Sequence, residues 1–328
     1  MGGEKAVNIT IRPAIAEDAD SLTAIQKQAF ERLYKIYQDE ASPYLRGSDE
    51  IKYQIVSGTR DIYKIFADDE LCGGIAVRSK GNGEYYLNRV YVLPQLQGEG
   101  VGRKAITLCE NNYSDVKRWT VDFPTDQLAN KKCYEYSGYY DTGLREELSD
   151  KLTLAFYEKA VSGIFELRKT QFDIAAEVIR TSFATVANNL GLTEQNCPKY
   201  VGFVTTAERL QTHCNWGWLM YGLYGNKRLF GYVSISKEAD GAYEMHNLAV
   251  LPEYRHMGYG KQLLDFCVVK VMESGGNKIK ISITEENTAL KNWYAAYGFV
   301  HTGVKKFEHL PFTSGYMELK VDGLCPAL

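Results

Sequence analysis

VYVLPQLQGEGVGRKAI at residues 90–106 and LAVLPEYRHMGYGKQLL at residues 248–264 are two versions of one stretch. In each, a β-branched apolar run ends at a Leu-Pro pair, passes through a glycine-punctuated loop and enters a helical pattern. Strand, loop and helix in that order gather free backbone N–H groups and the positive end of a helix dipole at one point. Such a point binds phosphate without a charged side chain. The first loop runs Gln97, Gly98, Glu99, Gly100, Val101, Gly102, with Arg103 next; the second runs Arg255, His256, Met257, Gly258, Tyr259, Gly260, with Lys261 next. These are Q-x-x-G-x-G and R-x-x-G-x-G, and their glycines let backbone approach an anion closely. Neither is the dinucleotide fingerprint G-x-G-x-x-G, and neither ends in the Gly-Lys-Ser/Thr of a P-loop.

The repetition extends well beyond the loops. Arg12 and Arg168 are 156 positions apart, Gly100 and Gly258 are 158 apart, and Tyr134 and Tyr294 are 160 apart. A period this long is a duplicated domain and not a solenoid repeat. The expected division is residues 1–160 and 161–328, in line with the usual domain size. Hydrophobic periodicity predicts the order β-α-α-β-β-β-α-β-α-β-β in each half, an α/β domain with a mixed central sheet flanked by helices. Residues 184–212 depart most from this order and read as a functional loop or a helix pair. Asn196, Cys197 and Phe203 in that segment either line a functional pocket or belong to a packed connector.

Bulk composition narrows the partners. Residues through Ala160 hold 21 basic and 25 acidic side chains, and the rest hold 17 and 16. Neither half has the basic excess of a nucleic-acid binder, so nucleic acid is not an expected partner. The seven cysteines (Cys72, Cys109, Cys133, Cys197, Cys214, Cys267, Cys325) are odd in number and form no C-x-x-C pair. They read as reduced thiols, with no metal site. The opening MGGEKAVNITIRP has no apolar signal core, and Ala6 stands where a myristoylation motif needs Ser or Thr. No run reaches membrane-spanning length, so the expectation is a cytoplasmic protein with no membrane partner.

The loop spacing after a V-x-P strand end resembles motif A of the GCN5-related N-acetyltransferase (GNAT) family. The resemblance covers nearly the whole chain, as a tandem member with the acyl-CoA N-acyltransferase fold in both halves. It implies acetyl-coenzyme A as cofactor, with the loop residues of both copies gripping its pyrophosphate. Strand ends at Val90, Val92, Leu248 and Val250, together with Asn287, complete the implied coenzyme contacts. The family's general acid is a tyrosine within N-x-x-A-x-x-(F/W)-Y-x-x-x-G-F. Asn287 through Trp293-Tyr294 to Gly298-Phe299 matches that pattern except for Leu290 in the alanine slot. Tyr294 is therefore the implied acid. Tyr134 is its weaker counterpart, because Gln127 and Asn130 replace the asparagine and the small residue.

A base must also take a proton from the amine. Glu244, His246 and Leu248 share one face of a strand by period-two geometry. Some members of the family carry a catalytic glutamate six positions before the residue that Val250 matches, so the resemblance makes Glu244 the first candidate base and leaves His246 the second, directly or through water. Tyr86 and Asn88 stand at the matching positions of the first half, which has no histidine at all. The implied activity is N-acetyl or small-acyl transfer to an amine of a small molecule or peptide, seated in the C-terminal half. A homodimer is an arrangement the sequence allows. Two rivals are a non-catalytic acyl-coenzyme A sensor and an aminoacyl or peptidyl transferase of the tandem type.

Overall fold

The computed structural model describes residues 7–321; Met1–Ala6 and Cys325 lie outside the described residues. The chain divides into two compact units, Met1–Val161 and Ser162–Leu328.

The first unit opens with β1 (Ile9–Pro13), α1 (Ala19–Tyr37) and α2 (Ser48–Ser57). A meander follows: β2 (Asp61–Ala67), β3 (Glu70–Gly81) and β4 (Glu84–Val92). Then come α3 (Val101–Glu110), β5 (Arg118–Pro124), α4 (Leu128–Tyr136), β6 (Tyr140–Ser149) and β7 (Leu152–Ala160). This is the order the periodicity predicts. The strands form one sheet, β1-β2-β3-β4-β5-β7-β6. Its two faces are covered differently. Leu22, Ile25 and Ile51 of α1 and α2 bury one face against Ala76 and Tyr91. Val101, Ala105, Ile106 and Cys109 of α3 bury the other against Leu87, Trp119 and Val121. Strict alternation in β5, where Trp119, Val121 and Phe123 are buried and their neighbours are not, fixes which face is which.

The second unit contains β8 (Gly163–Glu166), α5 (Phe172–Asn189), α6 (Val201–Val204) and α7 (Ala207–Asn215). Next are β9 (Leu219–Gly225), β10 (Arg228–Lys237), β11 (Tyr243–Val250) and α8 (Tyr259–Glu273). The unit ends with β12 (Lys278–Thr284), α9 (Thr288–Tyr297), β13 (Val300–Lys306) and β14 (Thr313–Lys320). Its sheet repeats the topology, β13-β14-β12-β11-β10-β9-β8. Residues 184–212 are helical for the most part, supplying the end of α5, then α6 and α7. Cys197 is buried with Ala187, Leu192 and Tyr200, and Phe203 and Phe312 pack on them. The Asn196 side chain accepts from Thr193 N and donates to Gly191 O. Asn196 and Cys197 thus hold a packed connector together, the second of the two roles their sequence allows.

Register shows that the duplication is a structural one. Gly74 pairs with Tyr91 across β3 and β4, and Tyr232 pairs with Ala249 across β10 and β11. With the 158-residue offset these are the same two positions with large and small side chains exchanged. One tyrosine ring per unit fills this place in the sheet, supplied from opposite strands. No helix among the described residues is long and apolar enough to cross a membrane.

Candidate active site

Each sheet opens at its centre. In the first unit β4 pairs with β5 in parallel only at Glu84, Tyr85 and Tyr86. In the second, β11 pairs with β12 only at Tyr243 and Glu244, although β11 continues to Val250. Both long strands carry a register shift just past this point. In β4 the shift lies between the pairs Ala76–Arg89 and Val77–Leu87; in β11 it lies between Tyr232–Ala249 and Ser234–His246. Asn247, inside the second shift, has a positive φ of 53°. A bulge bends its strand and raises the local twist, so the end of β11 leaves its parallel neighbour and a cleft opens. Val90, Val92, Leu248 and Val250 lie on these diverging strand ends.

The glycine loops sit at the mouth of the cleft. Gly98 and Gly100 have φ of 87° and 77°, and His256 and Gly258 have 64° and 85°. Left-handed residues alternating with ordinary ones turn successive N–H groups toward a single concavity. A Cβ built on Gly98, Gly100 or Gly258 would meet nothing within 4 Å. The amides of residues 98–100 and 256–258 donate to no backbone carbonyl among the described residues. The next three amides in each copy precede the first helical bond, Lys104 N to Gly100 O and Gln262 N to Gly258 O. Open space and unpaired donors at a helix start fit a diphosphate.

Several loop side chains serve the loop itself. Gln97 Nε2 donates to Val92 O at 2.9 Å. Arg255 Nε donates to Val250 O at 3.1 Å, and its Nη atoms donate to Thr185 Oγ1 and Ser182 O. The first motif residue therefore ties the loop back to the strand it left. Asn287 caps α9, accepting from Leu290 N at 3.2 Å. Lys261 pairs with Asp265, and the Arg103 guanidinium lies 6.0 Å from the Tyr136 ring centroid. Met257 is exposed, as is Glu99, which puts a carboxylate on the first loop where Met257 stands on the second. Gly102 and Gly260 face Cys133 and Trp293 at ordinary contact distance, where α3 meets α4 and α8 meets α9. Val101 is buried beneath its loop, whereas Tyr259 packs edge-on against Phe230.

Tyr294 and Tyr134 are buried on α9 and α4. Tyr294 packs against Trp293 and Phe299, Tyr134 against Phe123 and Tyr139. Neither hydroxyl bonds to a described residue. Burial pushes the pKa of both phenols far above the usual value of 10, so each holds its proton.

The two units differ most on the sheet face beneath the first helices. In the second unit His246 Nε2 lies 2.8 Å from Ser236 Oγ, and its Nδ1 lies 3.8 Å from Glu244 Oε1. The imidazole stacks on Trp218, which stacks in turn on His213. Burial, and then the neighbouring His213, draw the His246 pKa down to about 4. Burial, and then Glu238, push Glu244 above the ordinary carboxylate value, with Lys280 opposing. In the first unit Tyr86 donates to Asp122 across β4 and β5, and Asn88 accepts from Arg60. Those two side chains are locked. Trp218, Ser236 and His213 were not singled out by sequence reasoning. The only signal was Trp218 at the foot of β9, a position whose meaning depends on the pairing of three strands.

Comparison with known proteins agrees with the repeat. Residues 27–161 match the model of the acetyltransferase (GNAT) domain, and residues 191–299 match that of the acetyltransferase (GNAT) family. Over 103 residues the chain is 29% identical to the ribosomal protein bS18-alanine N-acetyltransferase of Haemophilus influenzae, covering 31% of this chain and 68% of that one. Among solved structures, the ribosomal-protein-S18-alanine N-acetyltransferase of Escherichia coli aligns at 16% identity and TM-score 0.39, covering 51% of this chain and 99% of its own. The Thermoplasma acidophilum PaiA N-acetyltransferase, solved with coenzyme A, aligns at 17% and 0.39, over 47% and 99%. With an acetyltransferase model matched in each half, the chain belongs to the GNAT acetyltransferase family and carries its domain twice in tandem.

Proposed function

We propose that the C-terminal unit transfers an acetyl or small acyl group from a coenzyme A thioester to a primary amine, and that it does so in the cytoplasm. One contrast carries this reading. Glu244 is an ionisable carboxylate with no hydrogen bond to a described residue, whereas Tyr86 at the matching position is bonded to Asp122.

Residues 256–261 would hold the diphosphate through their amides, and the freed edge of β11 would lie along the rest of the coenzyme. When bound, coenzyme A supplies an activated acyl group and leaves as a thiol. Glu244 attracts the cationic amine and accepts its proton; a raised pKa makes it a stronger base than an ordinary carboxylate. His246 is neutral at pH 7 but, with a pKa of about 4, is a weaker acceptor. Its bond to Ser236 and its stack on Trp218 fit it to wall the cleft beside Glu244. Tyr294 keeps its proton until a thiolate needs it.

The Haemophilus influenzae relative is named for modifying an alanine of a ribosomal protein, which supports including peptide amines among the acceptors. The test is thiol release from acetyl-coenzyme A against polyamines, amino acids, aminoglycosides and peptide N-termini. Release with one class identifies the acceptor. No release with any amine leaves a sensor, and a requirement for charged RNA leaves a transferase of the aminoacyl type.

A further inference from the structure

The same five register positions carry opposite chemistry in the two units. Asp61 pairs with Val77 and Arg78 with Tyr86, as Leu219 pairs with Ile235 and Ser236 with Glu244. Positions 60, 78, 80, 86 and 88 therefore correspond to 218, 236, 238, 244 and 246. The second unit places Trp218, Ser236, Glu238, Glu244 and His246 there, with two carboxylates and no lysine or arginine. The first places Arg60, Arg78, Lys80, Tyr86 and Asn88, with three cations and no carboxylate.

These cations converge. The Arg78 guanidinium lies 5.2 Å from the Tyr86 ring centroid and Lys80 Nζ lies 5.1 Å from it. Arg60 Nε donates to Asn88 Oδ1 at 3.1 Å, on the strand position two beyond Tyr86. Arg89, one residue on, has a side chain only 13% exposed. The nearby acids are already engaged. Asp122 accepts from Tyr86, and Glu50 is shared between Arg46 and Arg89 at 3.6 and 3.8 Å. Arg78 is exposed and pairs with no carboxylate among the described residues; nor does Arg60, whose Nη1 turns to Thr59 O. Burial, and then the positive charge of Arg78, lower the Arg60 pKa, with Tyr86 and Glu50 opposing.

From this geometry we infer that the N-terminal unit binds a small oxyanion, a carboxylate or phosphate carried by a small molecule, between Arg60, Arg78 and Lys80. The site lies at the strand positions that Trp218, Ser236, Glu244 and His246 hold in the C-terminal unit. Planar guanidinium forks suit two-point contact with such groups. The inference does not depend on the acyl-transfer reading, because it concerns the other unit and needs no turnover.

The full chain is titrated at low salt with inorganic phosphate and, separately, with succinate, following the arginine side-chain N–H resonances by NMR. Saturation with phosphate or succinate identifies the anion type, and Arg60→Gln/Arg78→Gln should weaken binding at least tenfold. Arg78→Gln alone, at an exposed position, keeps the test valid if the double variant does not fold. Lys132→Gln, on an exposed site of α4, should bind as the parent does. Failure of both anions to saturate, or equal affinity in the Arg78→Gln protein, overturns the inference.

Discussion

Trp218 and His246 lie face to face, with ring centroids 3.8 Å apart and planes 7° from parallel. His213 also stacks on the indole, with ring centroids 4.1 Å apart. The stack keeps water from the imidazole, and a buried imidazole favours its neutral form. His246 should therefore titrate near pH 4, against about 6.5 for a free histidine. The sign follows from proton uptake. Between those two values the unfolded chain binds a proton that the folded chain refuses, so this contribution is complete above about pH 6.5 and is lost as pH falls toward 4. Its size is roughly 3 kcal/mol. NMR titration of the His246 ring checks it, and a midpoint at or above 6.5 rules out the stack as the cause. Trp218→Ala should move the midpoint upward.

Glu244 should govern the acid limb of the pH–rate profile. Protonated, it cannot take a proton from the amine, so kcat/KM should fall as pH drops through a pKa above the ordinary 4.5. Glu244→Gln should lower kcat by about 10²–10⁴-fold, the usual range for a general base, with donor affinity unchanged. If the variant instead keeps its kcat and its acid limb, another group is the base.

Tyr294→Phe and Tyr134→Phe form a matched pair, each deleting one buried hydroxyl with no partner among the described residues. Loss of turnover in the first and not in the second places the chemistry in the C-terminal unit. Steady-state kinetics of both, with circular dichroism to confirm folding, decide it. The reverse pattern would move the active site to the N-terminal unit.

Gly258 caps α8 with a left-handed φ of 85° and open space where a side chain would start. Gly258→Glu should fold, at a backbone cost of about 1–2 kcal/mol, yet place a carboxylate where the amides converge. Calorimetric titration with acetyl-coenzyme A should show that site lost, and unchanged affinity would refute the placement of the diphosphate.

The fold was legible because each half states it independently. Alternation in strands such as β5 and β12, the Leu-Pro strand ends and the paired glycine loops all survive duplication, and their agreement made the order of elements along the chain readable. Glu244 and Tyr294 could be picked out because each stands at a spaced position of the family pattern, the one six residues before Val250 and the other in the helix motif. Side-chain partners were less accessible. Nothing in the sequence showed that Arg255 would bond to Thr185 and Ser182, since that contact depends on where α5 passes the loop. Trp218 and Arg60 likewise gained meaning only once β9 and β2 were laid against their neighbours.

The last prediction uses the repeat as an experiment already performed. In the first unit Lys159 Nζ donates to Glu110 Oε2 at 2.7 Å and to Ser137 O at 2.6 Å, and Tyr139 donates to Glu110 Oε1 at 3.0 Å. The lysine and glutamate side chains are 10% and 1% exposed. With offsets of 158 and 160, the matching residues of the second unit are Val268, Phe299 and Leu319, all buried in its core. The fold thus accepts either a buried ionic cluster or an apolar one at this place. Breaking the cluster singly, as in Lys159→Leu, takes the Lys159 ammonium away from the buried Glu110 and should cost about 3–5 kcal/mol. Converting all three together (Glu110→Val, Tyr139→Phe, Lys159→Leu) should recover most of that loss, because both desolvation penalties disappear with the charges. Urea unfolding of the N-terminal unit, followed by its own transition, measures both. A triple variant no more stable than Lys159→Leu would show that the neighbours of Lys159 have become specific to the ion pair.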